Sequence, residues 1–302
     1  MAVQMHIAFS SIIKGASIFA GGPYFCAQSN ALIATTACMS TPSLIPLKTL
    51  ILQAELLEKT FLIDNLRNLE GQKVFLFSGS ADTVVDQGVM DNLAAMYEYF
   101  GAEILKIFQI PAQHAFPTDG YGNLCGTLGE PYINNCNYNG VFETFKALYG
   151  NNIKSPVDSK KENLFEFDQS DYLKFGSSLN DKGYIYVPDS CQKKGKCGLH
   201  VAFHGCKQTL DDISLEFVTH TGYNEVAEAN NFIILYPQTK RSDLLPVNPE
   251  GCWDWWGYSD SLLTIGRYVT KQGAQMSAIS EMMKDLGLNQ EEIQGKISNY
   301  NY

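Results

Sequence analysis

Charge is scarce in this chain of 302 residues: 18% of them are charged against 45% hydrophobic, and 22 Lys and Arg face 32 Asp and Glu, a net charge of −10. So much apolar material can bury a core, which excludes a disordered chain. The shortage of positive charge, with no run of Lys or Arg, argues against a nucleic-acid partner and against an anionic membrane surface. Long apolar runs are missing as well. Stretches such as Ile7–Phe9 and Phe232–Tyr236 fall far short of the roughly 18 residues that a membrane-spanning helix needs. No cysteines are spaced C-x-x-C, which disfavours zinc. No N-x-S/T acceptor occurs, so glycosylation offers no clue to compartment.

What is present is an even set of cysteines: Cys26, Cys38, Cys125, Cys136, Cys191, Cys197, Cys206 and Cys252. The first six fall into close neighbours in sequence, each pair flanking a stretch rich in Gly, Asn, Ser or Lys, as a disulfide-closed surface loop would be. That leaves Cys206 and Cys252 for a long-range bridge. Disulfides imply an oxidising compartment and hence a secreted protein, whereas eight reduced thiols in an intracellular protein are the alternative. The opening residues MAVQMHIAFSSIIKG do not form a secretory signal. Met1, Met5, Ala8, Phe9 and Ile12 recur at helical spacing, so a helix is expected from the start, with a signal peptide lying upstream.

Further along, β-rich segments alternate with helical patterns: a strand at 16–20, a strand at 73–78, a helix over Gln87–Phe100 and a strand at 103–110. This is the rhythm of a parallel sheet with crossover helices. A polar stretch, 151–163, precedes a hairpin-like pair, LFEF and YIYVP with Gly183 between them. Then come the strand LHVAFHG (199–205), a helix over Tyr223–Asn230, the strand FIILYP (232–237) and a last helix over Ala274–Leu286 with Met276, Ile279, Met283 and Leu286 on one face. Neither half has enough strands to close its own sheet, so one shared, mostly parallel sheet with helices on both faces is expected, as a single domain over 1–302.

Two loops carry acid–base chemistry. In SGSADT a strand ends at Ser78 with Asp82 in the loop beyond, and in IPAQHAFPT the next strand ends at Ile110 with His114 beyond. Parallel sheets react at the carboxyl ends of their strands, so these loops are expected to meet. A carboxylate can hold one imidazole nitrogen there and leave the other to take a proton from a nucleophile. Each residue alone is more often a solvated turn acid or a surface histidine. Together they form the acid-then-histidine half of an α/β-hydrolase triad. In VAFHGCKQ an apolar strand runs into His204-Gly205-Cys206, either offering a backbone N–H to an oxyanion or forming a tight turn locked by a disulfide at Cys206. His200 lies in an apolar strand and reads as a core histidine; His6 and His220 have no usable acidic context. Acid and histidine precede the oxyanion strand, the reverse of the ordinary order, so the chain reads as circularly permuted.

The segments MAVQMHIAFS, GGPYFCAQ, SGSADT, HAFPT, NNCNYNG, LHVAFHGCKQ, TGYNEVAEANNFIILYPQ and NPEGCWDWWGY resemble the circularly permuted extracellular poly(3-hydroxybutyrate) depolymerases, over nearly the whole chain and including all eight cysteines. The resemblance implies Asp82 as acid, His114 as base, the Cys206 N–H as an oxyanion donor, and the pairs Cys26–Cys38, Cys125–Cys136, Cys191–Cys197 and Cys206–Cys252. It implies no metal or organic cofactor, a polyester or short hydroxyalkanoate ester as substrate, and a monomer. Trp253, Trp255 and Trp256 would then sit beside the reacting ester as an aromatic wall, with two of the three expected to be core.

One departure is large. In the family a strand and a G-x-S-x-G-like elbow precede the M-A-x-Q segment, and no G-x-S-x-G occurs in these 302 residues; the nearest match, Gly176-Ser177-Ser178-Leu179-Asn180, lacks the second glycine. Ser10 and Ser11 lie too far along the opening helix. The chain is therefore expected to lack the nucleophile and its strand, as an N-terminally truncated form. It is also expected to be inactive, with losses on the order of 10⁶ in turnover. Folding is expected to suffer, because unpaired ladder groups cost about 1 to 3 kcal/mol each when buried. Alternatives are a feruloyl or acetyl esterase of the same superfamily, a non-catalytic polymer-binding protein that shed the serine, and a plain structural role that no motif favours.

Overall fold

Three apolar strands form the first sheet, β1 (Gly15–Phe19), β2 (Lys73–Phe77) and β3 (Glu103–Ile107), in a computed structural model that describes residues 1–192, 196–261 and 263–285. The order is β1-β2-β3, all parallel, and the register pairs Phe19 with Phe77 and Phe77 with Ile107, so the carboxyl ends lie level. β2 buries Val74 through Phe77, as a central strand covered on both faces does. β3 ends three residues earlier than expected and exposes Glu103 and Lys106, charges that blunt an open edge. The crossover helix Gln87–Tyr99 starts at Asp86, whose Oδ1 accepts the Gly88 N–H at 2.7 Å, and buries Val89, Met90, Leu93, Ala94 and Tyr97.

A small parallel sheet follows His114: β4 (Phe116–Thr118), β5 (Asn123–Leu124) and β6 (Ile133–Asn135), in the order β4-β6-β5. The last sheet comprises β7 (Leu164–Asp168), β8 (Lys182–Tyr186), β9 (Gly198–Val201) and β10 (Phe232–Tyr236), ordered β7-β8-β10-β9. β8 runs antiparallel to both neighbours, and β9 and β10 are parallel.

Several expectations are corrected. Gly183 is no turn: it lies inside β8 opposite Phe167, and an added Cβ would come within 2.5 Å of that ring. The opening helix covers Ala2–Ala8, leaving Ile12 half exposed beyond its end. The last helix covers Ala274–Met283, while Leu286 lies outside the described residues. Hydrogen bonding does not join the halves into one sheet either, because among the described residues β1 pairs only with β2 and β9 only with β10. The two sheets share a core instead, in which Val3, Ile7, Ile18 and Leu76 belong to one buried cluster with Ile185, Ile233 and Leu235. The helix Gly140–Tyr149 touches both edges. Thr144 Oγ1 lies 2.9 Å from Ser17 Oγ of β1, and the Tyr149 hydroxyl lies 3.2 Å from His200 Nδ1 of β9.

His6 is fully buried on the opening helix, with Nε2 2.7 Å from Gln72 Oε1 and Nδ1 2.9 Å from the Tyr97 hydroxyl. Gln72 Nε2 donates to the Ser10 carbonyl, so Oε1 is the acceptor for His6 Nε2–H, and Nδ1 accepts from Tyr97. Burial pushes this imidazole down to about 4, opposed by the Gln72 bond. A folded-state value below the unfolded 6.5 means that the unfolded chain binds the extra proton. The contribution is therefore complete above pH 6.5 and is lost as pH falls toward 4, by about 3 kcal/mol. Urea midpoints taken between pH 7 and 4 should decline accordingly, and a His6→Gln variant should show a shallower decline; equal slopes would count against the buried neutral form.

Candidate active site

The ends of β2 and β3 open into two loops laced together through their backbones. Ser80 N–H donates to the Ile110 carbonyl at 2.8 Å and Ala81 N–H to the Ala112 carbonyl at 3.2 Å. Gly79 permits this approach, since a Cβ there would lie 2.1 Å from the Ala112 oxygen. Gln113 completes the splice. Its Oε1 accepts from Thr83 N–H (2.8 Å), Thr83 Oγ1 (3.2 Å) and His114 N–H (2.9 Å), so one side chain ties the acid loop to the histidine loop.

Within this frame Asp82 and His114 meet. Asp82 Oδ1 accepts the N–H groups of Val84 and Val85 at 2.8 and 2.9 Å, and Oδ2 lies 2.9 Å from His114 Nδ1. With one carboxylate oxygen occupied by two N–H donors, the other is the acceptor for Nδ1–H, which leaves Nε2 with its lone pair. The Asp82 side chain is 1% exposed and that of His114 is 32% exposed, so the acid is sheltered and the imidazole reachable. Among the described residues Nε2 has no hydrogen-bond partner, and no serine hydroxyl reaches it. Ser10 donates to the Asn65 carbonyl, Ser11 to Asp64 and Ser178 to the Lys240 carbonyl.

All four disulfides form in the expected pairs: Cys26–Cys38, Cys125–Cys136, Cys191–Cys197 and Cys206–Cys252. The last spans 46 residues, a closure that stabilises by about 4 kcal/mol on the chain-entropy account. Cys206 is exposed, and its N–H donates to no acceptor among the described residues. A strut links this loop to the histidine: Gln208 Oε1 accepts the Gly205 N–H at 2.7 Å, and its Nε2 donates to the Pro131 and Tyr132 carbonyls at 3.0 and 3.2 Å. The Tyr132 carbonyl also accepts from Phe116 N–H, two residues after His114.

The tryptophans divide differently from expectation. Only Trp253 is core, 5% exposed against Phe203 and His204, at ring separations of 5.1 and 5.5 Å. Trp255 and Trp256 are half-buried, edge to face at 5.5 Å. Their turn is held by Asp254, whose carboxylate accepts from the N–H groups of Trp256, Gly257, Tyr258 and Ser259 and from Ser259 Oγ. Burial raises the Asp254 carboxyl, and the Ser259 and backbone donors oppose the rise. His220 does have an acidic neighbour, Glu216, 3.5 Å away one helical turn back, and it stacks on Tyr121. Gln113, Gln208 and Asp254 carried no sequence signal, because an amide or acid in a loop acquires its partners only on folding.

No family model matches the chain. A curated poly(3-hydroxybutyrate) depolymerase of Delftia acidovorans is 40% identical over 289 residues, 94% of this chain and 56% of that protein, so the chain spans little more than half of that relative. A polyhydroxybutyrate depolymerase of Talaromyces funiculosus is 35% identical over 305 residues, covering 95% of this chain and 86% of that protein. Among solved structures, a serine-to-alanine variant of a PHB depolymerase complexed with R3HB trimer has a TM-score of 0.82 at 32% identity, over 100% of this chain and 93% of that one. The PHB depolymerase from Penicillium funiculosum has a TM-score of 0.81 at 30% identity, over 99% and 92%.

Proposed function

Because the chain belongs to the polyhydroxybutyrate depolymerase family, we propose that it carries the acid, the base and one oxyanion donor of a serine-type ester hydrolase acting on poly(3-hydroxybutyrate) or its short oligomers. The observation that carries this reading is the anchored Asp82–His114 pair with its unpartnered Nε2. In the reaction a serine hydroxyl attacks the ester carbonyl and His114 Nε2 takes its proton. The Cys206 N–H stabilises the oxyanion, and the protonated imidazole, held by Asp82, returns the proton to the departing hydroxybutyrate alcohol. Water then repeats the sequence on the acyl-enzyme and releases the acid. Trp255 and Trp256 wall the site for the apolar polyester.

The attacking serine, in this reading, comes from a residue outside these 302, on a strand that enters between β1 and β9. Among the described residues each of these strands has one side without a strand partner, and the helix Gly140–Tyr149 contacts both, β1 through Thr144 and β9 through Tyr149. The permuted order, a single domain, a monomeric state, a signal peptide upstream and secretion complete the proposal; the four disulfides support an oxidising compartment. The test joins a serine-bearing strand and elbow from a relative ahead of Met1 and compares esters. Preference for hydroxybutyrate trimer over feruloyl and acetyl esters is expected, and the opposite preference would falsify the substrate assignment.

A further inference from the structure

His204 lies outside the acid–base pair, yet it is buried directly beneath the Cys206 loop with both ring nitrogens engaged. Its Nε2 is 3.2 Å from the Thr239 N–H, which can only donate, so Nε2 must accept. Thr239 Oγ1 is also 3.2 Å from Nε2, but its proton is committed to the Gly251 carbonyl at 2.6 Å. The neutral ring therefore carries its proton on Nδ1, and Nδ1–H donates to the Gly205 carbonyl at 2.7 Å. Burial favours the same neutral form by pushing the imidazole down to about 4.

The Gly205 carbonyl and the Cys206 N–H belong to one planar trans peptide unit and point in opposite directions. Fixing the carbonyl inward on His204 fixes the N–H outward. We propose that His204 is a positioning residue that aims the Cys206 N–H at the ester oxygen by holding the other end of the same peptide. The circuit is closed covalently: Gly251, which accepts from Thr239, precedes Cys252, and Cys252 is bonded to Cys206. Gln208 holds the Gly205 N–H, which belongs to the preceding peptide unit, so the units on both sides of the Gly205 Cα are each held by a hydrogen bond. An unaimed donor would keep its chemistry and lose its direction, and direction is what an oxyanion donor contributes.

This inference rests on the functional reading above, so its test has two arms. In the first, ¹⁵N spectra of histidine-labelled protein, taken on the 302-residue chain and on the serine-bearing fusion, are expected to show the His204 proton on Nδ1. A proton on Nε2 overturns the proposal whatever the enzyme does. In the second, kinetics are measured on the fusion. His204→Gln places its amide at the Nε2 position and loses the bond to the Gly205 carbonyl, whereas His204→Asn places an N–H donor at the Nδ1 position. His204→Gln is expected to lower kcat for hydroxybutyrate trimer by about 10²-fold with KM little changed, and His204→Asn to recover most of it. Equal kcat in the two variants, or a change confined to KM, contradicts positioning. A fusion without any esterase activity, with the proton nevertheless on Nδ1, counts against the hydrolase reading and leaves the tautomer and its peptide geometry in place.

Discussion

Joining a serine-bearing strand and elbow ahead of Met1 is expected to raise turnover of hydroxybutyrate trimer by about 10⁶-fold over the 302 residues alone. The size follows from what the chain already holds. Asp82 and His114 are locked at 2.9 Å, the acid loop is spliced to the histidine loop through Gln113, and the Cys206 N–H has no competing acceptor among the described residues. On the proposed reading the base in these 302 residues lacks its nucleophile, forms no acyl-enzyme and has only water to activate. What remains is the modest catalysis that an oxyanion donor and substrate binding supply on their own. Supplying the hydroxyl should restore nearly the whole effect in one step, because triad members act as a unit. The strand that brings it would also pair the sides of β1 and β9 that have no strand partner among the described residues. Initial rates on the trimer, with and without the added segment, measure the factor; a gain below about tenfold would show that His114 does not serve that hydroxyl.

Replacing Asp82 by Asn in the fusion should lower kcat by about 10⁴-fold while the fold survives. The side chain keeps its shape, and its remaining oxygen can still accept the Val84 and Val85 N–H groups at 2.8 and 2.9 Å. The amide nitrogen then replaces Oδ2 and points a donor at His114 Nδ1. Two donors cannot share that contact, so the imidazole moves its proton to Nε2 and presents N–H where a lone pair is required. Asp82→Ala, by contrast, also strands two backbone N–H groups, adding a stability loss of about 1 to 3 kcal/mol for each one left buried. Comparing the two separates tautomer control from loop anchoring. If Asp82→Asn retained kcat within tenfold, the assignment of Asp82 as the orienting acid would fail.

The Asp82–His114 contact of the candidate site was legible because it is tied to local pattern. Strands ending at Phe77 and Ile107 deliver Asp82 and His114 to adjacent loops; Ser78-Gly79-Ser80 marks the first end in the sequence, whereas the apolar Phe108 and Ile110 hide the second. The cysteines were readable because short disulfide loops need no knowledge of the rest of the fold. Three features were hidden by tertiary contact. Gly183 reads as a turn residue until Phe167 is found packed over it, and Trp253 becomes core only through Phe203 and His204. Gln208 finds its partners at Pro131 and Tyr132, at sequence separations of 77 and 76 residues, where no periodicity operates. Sheet continuity was misjudged for a related reason: counting strands cannot reveal that β1 and β9 are neighbours across a shared helix without pairing.

The most direct measurement is a crystal structure of the serine-bearing fusion, its serine changed to alanine so that the ester survives, in complex with hydroxybutyrate trimer. One ester carbonyl oxygen should lie about 3 Å from the Cys206 nitrogen, with His114 Nε2 facing the alanine and Asp82 still bonded to Nδ1. A trimer bound with its carbonyl remote from Cys206, or an imidazole turned away from both, would contradict the convergence of these three groups on one reacting carbon.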